Sequence, residues 1–99
     1  MGERKITILE TAATAVAEIA FFVENEGYPV AAKKFVDEAF DFFYKISSNL
    51  VEYNICKYKR WISLGYRCAH FRKKYVVAFL SLENEFIVCD FVSMKLLSE

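Results

Sequence analysis

The chain has 99 residues, of which 56% are hydrophobic and 17% aromatic, and its 13 basic residues balance its 13 acidic ones. This length fits one small domain spanning residues 1–99, and the hydrophobic fraction predicts a packed core rather than a disordered chain. The longest apolar run, Tyr75 to Leu80, is far shorter than the ~20 residues of a membrane-spanning helix. The start, MGERKITILE, lacks the apolar stretch of a signal peptide. We therefore expect a cytoplasmic protein with no membrane partner.

The elements of the first half follow from its hydrophobic spacing. Lys5 to Leu9 is a short β-prone run, and from Glu10 apolar residues recur on one face of a helix that ends at Gly27. Pro29 suits the first position of a second helix. That helix has the clearest periodicity of the chain, carried by Ala32, Phe35, Val36, Ala39, Phe42, Phe43 and Ile46. The short connection predicts an antiparallel helical hairpin.

The second half changes to a period of two. Residues 61–71 alternate as a strand, a basic turn of Arg72, Lys73 and Lys74 follows, and residues 75–82 and 86–94 read as two further strands. Residues 47–60 are left without an assignment, because Leu50 and Val51 could extend the second helix. The predicted fold is α+β, in the order β-α-α-β-β-β, with the hairpin packed on a mainly antiparallel four-stranded sheet.

Charge is segregated along the chain. Residues 53–74 carry seven basic residues and no acid, whereas residues 1–52 carry five basic and nine acidic residues. Such a block attracts phosphates and carboxylates, so it predicts an anionic partner, either nucleic acid or an acidic protein segment. Solvated strand ends and loops are the alternative explanation.

Metal, cofactor and disulfide signals are weak. Cys56, Cys68 and Cys89 are an odd, scattered set without CxxC spacing, so we expect reduced thiols, with Cys68 and Cys89 in strand cores. One histidine, His70, is a poor basis for a metal site, and alternation places it on the helix-covered face. No cofactor and no metal are predicted.

Two stretches, EIAFFVENEGYPVAAKKFVDEAFDFF and YRCAHFRKKYVVAFLSLENEFIVCDFV, resemble the RelE/ParE superfamily of toxins from type II toxin–antitoxin operons. The first is similar to the ParE-type helical hairpin. The second is similar to the family's basic strand, Tyr-led hydrophobic strand and Val/Ile-rich final strand, with Arg67 and Tyr75 at matching positions. The resemblance implies either a RelE-like ribosome-dependent mRNA endonuclease or a ParE-like poison of DNA gyrase. Both would be neutralised by a cognate antitoxin protein.

Most of the catalytic residues that a RelE-like enzyme would need are missing from this sequence. Arg67 matches its basic second-strand position, but Val76 stands where an Arg would follow the tyrosine, and only Lys95 is basic after the last strand. RNA cleavage needs a general base, a general acid and cations for the phosphorane charge. Arg67 is therefore the one catalytic candidate, and the ParE-like branch, with gyrase rather than ribosome-bound mRNA as the target, is favoured.

The same alternation predicts an exposed strip beside Arg67, opposite the helices. Aromatic and arginine side chains on such a strip would supply protein-binding hot spots or stack nucleic-acid bases. Phe22, Phe40 and Tyr44 predict an apolar patch on the hairpin, which would favour self-association into a homodimer without the antitoxin. The predicted partner-binding residues are Trp61, Arg67, Phe71, Arg72, Lys73, Lys74 and Lys95.

Overall fold

The computed structural model describes residues 4–48 and 53–97. Its elements are β1 Lys5–Ile8, α1 Glu10–Asn25, α2 Pro29–Ser48, α3 Lys59–Ile62, β2 Arg67–Phe71, β3 Tyr75–Ser81, β4 Glu85–Ser93 and a 3-10 helix, Met94–Leu97. The predicted fold class, a helical hairpin on a four-stranded α+β sheet, is confirmed. Leu50 and Val51, which were predicted as able to extend α2, lie outside the described residues.

The sheet has the strand order β1-β4-β3-β2. β2, β3 and β4 form an antiparallel meander, and β1 pairs in parallel with the first part of β4. Between Ala78 and Phe79 the β4 partner changes from Asp90 to Val88, so Cys89 has no partner on β3 and forms a bulge in β4. The parallel β1 requires a crossover, and the helical hairpin provides it.

Local sequence signals set the ends of the two long helices. At the end of α1, Gly27 has φ +99°, its N–H donates to Glu24 O, and the Tyr28 N–H donates to Val23 O. This pair of bonds is a Schellman motif, in which glycine takes the left-handed position without a Cβ clash. Pro29 then opens α2, as predicted. The turn is short, so the helices lie side by side.

The hairpin covers one face of the sheet and forms the larger core. Aromatic rings dominate this core, since Phe35, Phe43, Phe71 and Phe91 meet with centroid distances near 6.0 Å and mostly edge-to-face geometry. The predicted apolar stripe of α2 supplies the helix side of this packing. We call this side of the sheet the hairpin face.

The opposite side of the sheet is also covered, which the sequence did not reveal. The segment of residues 56–66, including α3, and the 3-10 helix bury a second cluster of Cys56, Trp61, Val76, Ala78, Val92 and Leu97. We call this side the loop face. Because both faces of the sheet are covered, odd and even positions of the strands are both apolar. The alternation of apolar and polar residues therefore could not show which side of a strand faces the hairpin.

The predicted orientation of β2 is therefore wrong. Residues 61–66 form α3 and a turn instead of strand, so β2 begins at Arg67. Ala69 and Phe71 pack under the hairpin, whereas His70, expected on that side, is exposed. Phe71 decides the orientation, because its ring fits among the phenylalanines of α2, 5.2 Å from that of Phe42.

The predicted reduced state of the cysteines is also corrected. Cys56 and Cys68 form a disulfide with a Cα–Cα distance of 5.1 Å, while Cys89 is a free, buried thiol as expected of a strand core residue. The two cysteines meet because the segment before α3 lies alongside β2. There the Cys56 N–H donates to Tyr66 O and the Cys68 N–H donates to Asn54 O. Sequence spacing could not show this approach.

Candidate binding surfaces

Two aromatic residues predicted to form an exposed binding strip lie in the interior. Trp61 is only 2% exposed, and its Nε1–H donates to Asp90 Oδ2 across 3.3 Å. Phe71 is buried beneath α2. Neither ring is free to stack a base or fill a pocket on a partner, so the predicted Trp–Arg–Phe strip does not exist as a surface.

Arg67, the catalytic candidate, is held by an internal contact. Its Nη1 donates to the Tyr53 carbonyl at 2.5 Å, and the side chain is partly buried. The Tyr53 ring packs edge-on against Phe79, 5.5 Å away, on the hairpin face. Arg67 thus fastens the segment before α3 to the sheet, and this contact gives the side chain a structural role.

The Arg72 side chain is likewise engaged in contacts within the molecule. Its guanidinium forms an ion pair with Glu38 of α2 and lies over the Phe35 and Phe71 rings at 5.3 and 5.4 Å. The hydrogen bond from Arg72 holds the pKa of the Glu38 carboxyl below its ordinary value. Both groups are substantially exposed, so the ion pair itself adds little to stability. The stacked guanidinium seals the rim of the hairpin face.

The remaining predicted lysines come together at one end of the sheet. Arg72 and Lys73, the first two of the three residues between β2 and β3, have left-handed φ of 55° and 59°, and the Lys74 N–H closes the turn by donating to Phe71 O. The Met94 N–H donates to Lys74 O at 2.8 Å, which places the basic turn beside the 3-10 helix carrying Lys95. Lys73, Lys74 and Lys95 are all exposed. We call these three residues the lysine patch.

His70 faces solvent in a small cavity along the β2 edge. The cavity has a volume of about 430 Å³ and is also lined by Asn54, Lys57, Tyr58 and the disulfide pair. Imidazole, ammonium and phenol groups are the kinds of side chain that can move protons and stabilise phosphate charge. This arrangement was missed because the sequence reading placed His70 on the covered face.

A larger groove, of about 840 Å³, runs between α1 and the second part of β4. Its lining includes a stripe of α1 composed of Thr11, Thr14, Ala15, Glu18, Ile19 and Phe22. These residues recur at helical spacing beside the buried stripe of Ala12, Val16 and Ala20. The helical spacing of this groove stripe was a signal for the groove in the sequence. Of this stripe, only Phe22 was recognised from the sequence, as part of an apolar patch.

The three residues of that predicted apolar patch differ in their exposure. Phe22 and Tyr44 are well exposed, whereas Phe40 is partly buried and packs against Phe43 with ring centroids 5.4 Å apart. The exposed rings are therefore available for self-association or for another partner, while Phe40 belongs to the core.

Cys89 does not have the properties of a reactive thiol. Burial raises the pKa of its thiol, and burial likewise raises the pKa of the neighbouring Tyr66 phenol. A thiolate nucleophile requires the opposite shift. Within residues 4–48 and 53–97, no cluster of three or more His, Cys, Asp or Glu side chains is arranged to hold a metal ion.

Comparison with known proteins found no protein-family model and no curated protein that matches the chain. In the described part of the chain, no helix combines the length and the apolar character needed to cross a membrane.

Proposed function

We propose that the protein is the toxin component of a type II toxin–antitoxin system, of the ParE-like branch, and that it acts by binding a protein target. By the resemblance, the target is gyrase, and a cognate antitoxin protein is the natural inhibitor. The helical hairpin packed on a four-stranded sheet, which the resemblance implies, supports this assignment. A homodimer formed through exposed aromatic residues outside the groove beside α1, such as Tyr44, belongs to the same proposal.

The composition of the exposed basic surface favours a protein target over nucleic acid. The lysine patch lies in solvent, whereas Trp61 and Phe71, which could have stacked bases, are buried. Proteins that bind single-stranded nucleic acid combine cations with exposed aromatic stacking surfaces. A lysine patch without such rings fits carboxylates on a protein surface better.

Inducible expression in a host without the antitoxin tests this proposal. The wild-type chain should arrest growth and induce the DNA-damage response while bulk mRNA stays intact. Changing Lys73, Lys74 and Lys95 together to Glu should abolish arrest, because like charges would then face the acidic target. The matched control changes Lys33, Lys34 and Lys45, three exposed lysines of α2, to Glu and should leave arrest in place.

Two results would contradict the proposal. Unimpaired growth on expression of the wild-type chain, at a level confirmed by immunoblot, would instead indicate an inactive toxin-like binding module. Equal loss of arrest in both lysine triples would show that total charge matters rather than the lysine patch. Purified variants should keep the wild-type circular dichroism spectrum and melting temperature, so that unfolding is distinguished from lost binding.

A RelE-like endoribonuclease is the second candidate, and the exposed His70 beside Lys57 and Tyr58 favours it. In this reading His70 accepts the proton of the 2′-hydroxyl while its oxygen bonds to phosphorus, the bond from phosphorus to the 5′-oxygen breaks, and that oxygen takes a proton from water. Lys57 stabilises the phosphorane charge. Codon-positioned mRNA cuts that disappear in His70→Gln would support it. Toxicity that survives both His70→Gln and the double change of Arg67 and Lys95 to Ala would exclude it.

A further inference from the structure

The edge of β4 is only half covered by β1. β4 has nine residues, but the four residues of β1 pair only with Glu85–Val88. The Leu9 N–H donates to Val88 O, and there the chain leaves the sheet to begin α1. Among the described residues, no strand lies beside Cys89–Ser93 on this side. The second half of β4 is therefore an open strand edge.

The hydrogen bonds of β4 show which backbone groups point to this edge. The Met94 N–H donates to Lys74 O on the β3 side, so by strand alternation the Ser93 N–H points away from β3. The Phe91 N–H donates to the side-chain Oδ1 of Asp90 at 2.9 Å instead of to a strand. The Asp90 carboxylate, which also accepts a hydrogen bond from the indole Nε1–H of Trp61, thus binds an amide that a strand partner would otherwise bind.

The open edge forms part of the floor of the 840 Å³ groove beside α1. A five-residue strand needs about 17 Å of length, at ~3.3 Å per residue. The groove stripe of α1, from Glu10 to Phe22, extends about 18 Å at ~1.5 Å per residue. The two lengths match, so one short extended segment could pair with β4 while lying against α1 throughout.

The groove has a definite chemical character. Exposed Phe22 and Leu96 supply apolar contacts, while Glu10, Glu18 and Asp90 contribute three carboxylates against the single guanidinium of Arg60. The net negative lining complements cationic side chains. The free edge supplies main-chain hydrogen bonds, and the apolar positions select alternate side chains of a bound strand.

We propose that this groove binds an extended segment of a partner protein, with alternating basic and aliphatic residues, as an additional strand on the open edge of β4. Binding transfers the Phe91 N–H from Asp90 to a carbonyl of the incoming segment and leaves the Asp90 carboxylate facing a basic side chain. The groove lies beside the lysine patch, since Tyr75, Ser93 and Leu96 line it, but its own lining excludes those lysines and has the opposite charge. This inference does not depend on toxicity.

The test uses a synthetic seven-residue peptide of alternating Lys and Val, acetylated and amidated, titrated into the ¹⁵N-labelled full chain. The amide signals of Phe91 and Ser93 should shift, and both amides should become protected from hydrogen exchange. The same peptide with N-methyl groups on alternate amides should bind at least ~10-fold more weakly, because it cannot donate the strand hydrogen bonds. A Glu-Val peptide should bind more weakly by a similar factor.

Two pairs of variants locate the binding site. Phe21 and Phe22 are each 64% exposed, but only Phe22 lines the groove. Phe22→Ser should weaken peptide binding roughly 10-fold, the loss expected for a buried aromatic contact, and Phe21→Ser should leave it unchanged. Glu18→Lys should weaken binding about 5-fold, with the exposed α1 residue Glu24→Lys as its control.

Several outcomes would overturn the proposal. Equal effects of the two phenylalanine variants would place the peptide outside the groove, and unimpaired binding of the N-methylated peptide would exclude strand addition. Shifts of Phe91 and Ser93 that grow with protein concentration, in the absence of peptide, would identify a second copy of this chain as the occupant. Growth assays test the toxin proposal separately, since peptide binding is measured on purified protein.

Discussion

The two faces of the sheet are covered by different means. The hairpin face is held by two long helices and a continuous cluster of phenylalanine rings. The loop face is held by a segment with one short helix, which is fixed by the Trp61–Asp90 hydrogen bond and by the Cys56–Cys68 disulfide. Burial of apolar area is sufficient to keep a regular helix on the sheet. An irregular segment loses more conformational entropy when it becomes ordered, so it is fixed in addition by a hydrogen bond and a disulfide. This difference predicts that the faces respond differently to damage.

The largest effect should come from the hairpin face. Phe43 is completely buried, so Phe43→Ala should lower the free energy of unfolding by about 4 kcal/mol, from lost burial and the cavity left behind. Urea denaturation followed by circular dichroism measures the change. Phe21→Ala, at an exposed position of α1, should change it by less than about 0.5 kcal/mol. Equal effects would mean that the hairpin face is not the main core.

Removal of the disulfide should have the next largest effect. The bond joins residues 12 positions apart, so changing Cys56 and Cys68 to Ser should cost about 3 kcal/mol through the freedom gained by the unfolded chain. A thiol reductant should destabilise the wild type by a similar amount and leave the double variant unchanged.

Hydrogen exchange should show where the disulfide acts. The Cys56 and Cys68 amides, which bond to Tyr66 O and Asn54 O, should exchange faster on reduction, while α1 and α2 stay protected. Equal loss of protection in the hairpin would contradict the contrast between the two faces.

A smaller effect is expected from the indole hydrogen bond. Trp61→Phe keeps an aromatic ring but leaves Asp90 Oδ2 without its donor, so stability should fall by about 1 kcal/mol. Thermal unfolding measures this loss. Tyr58→Phe, which removes only a hydroxyl from the same segment, is the comparison. A drop as large for Tyr58→Phe would show that the indole N–H contributes nothing specific.

The smallest effect concerns the rim of the hairpin face. Because the Glu38 pKa is lowered in the folded state, its ionisation contributes stability above the ordinary carboxyl pKa of ~4.3, and this contribution disappears as the pH falls through the lowered value. The stability difference between wild type and Glu38→Gln should therefore shrink on acidification. Asp41→Asn, at another exposed carboxylate of α2, is the control. A difference that grows in acid would reverse the predicted sign.

Local sequence patterns predicted the structure correctly where the feature depends on one helix alone. Gly27 and Pro29 set the helix ends, and the period of the second helix identified Phe35, Ala39 and Phe43 as core residues. These signals succeed because backbone geometry and amphipathic spacing are properties of neighbouring residues. The candidate site was predicted less well, since of its residues only Lys73, Lys74 and Lys95 lie free on the surface.

The sequence by itself determined the fold class, the helical hairpin and the separation of charge, because spacing, turn residues and charge are local quantities. The tertiary structure alone decided which side of β2 faces the helices, that Cys56 meets Cys68, and that β1 ends halfway along β4. Each of these depends on a contact between distant segments. When both faces of a sheet are covered, alternation no longer separates inside from outside, and only packing does so.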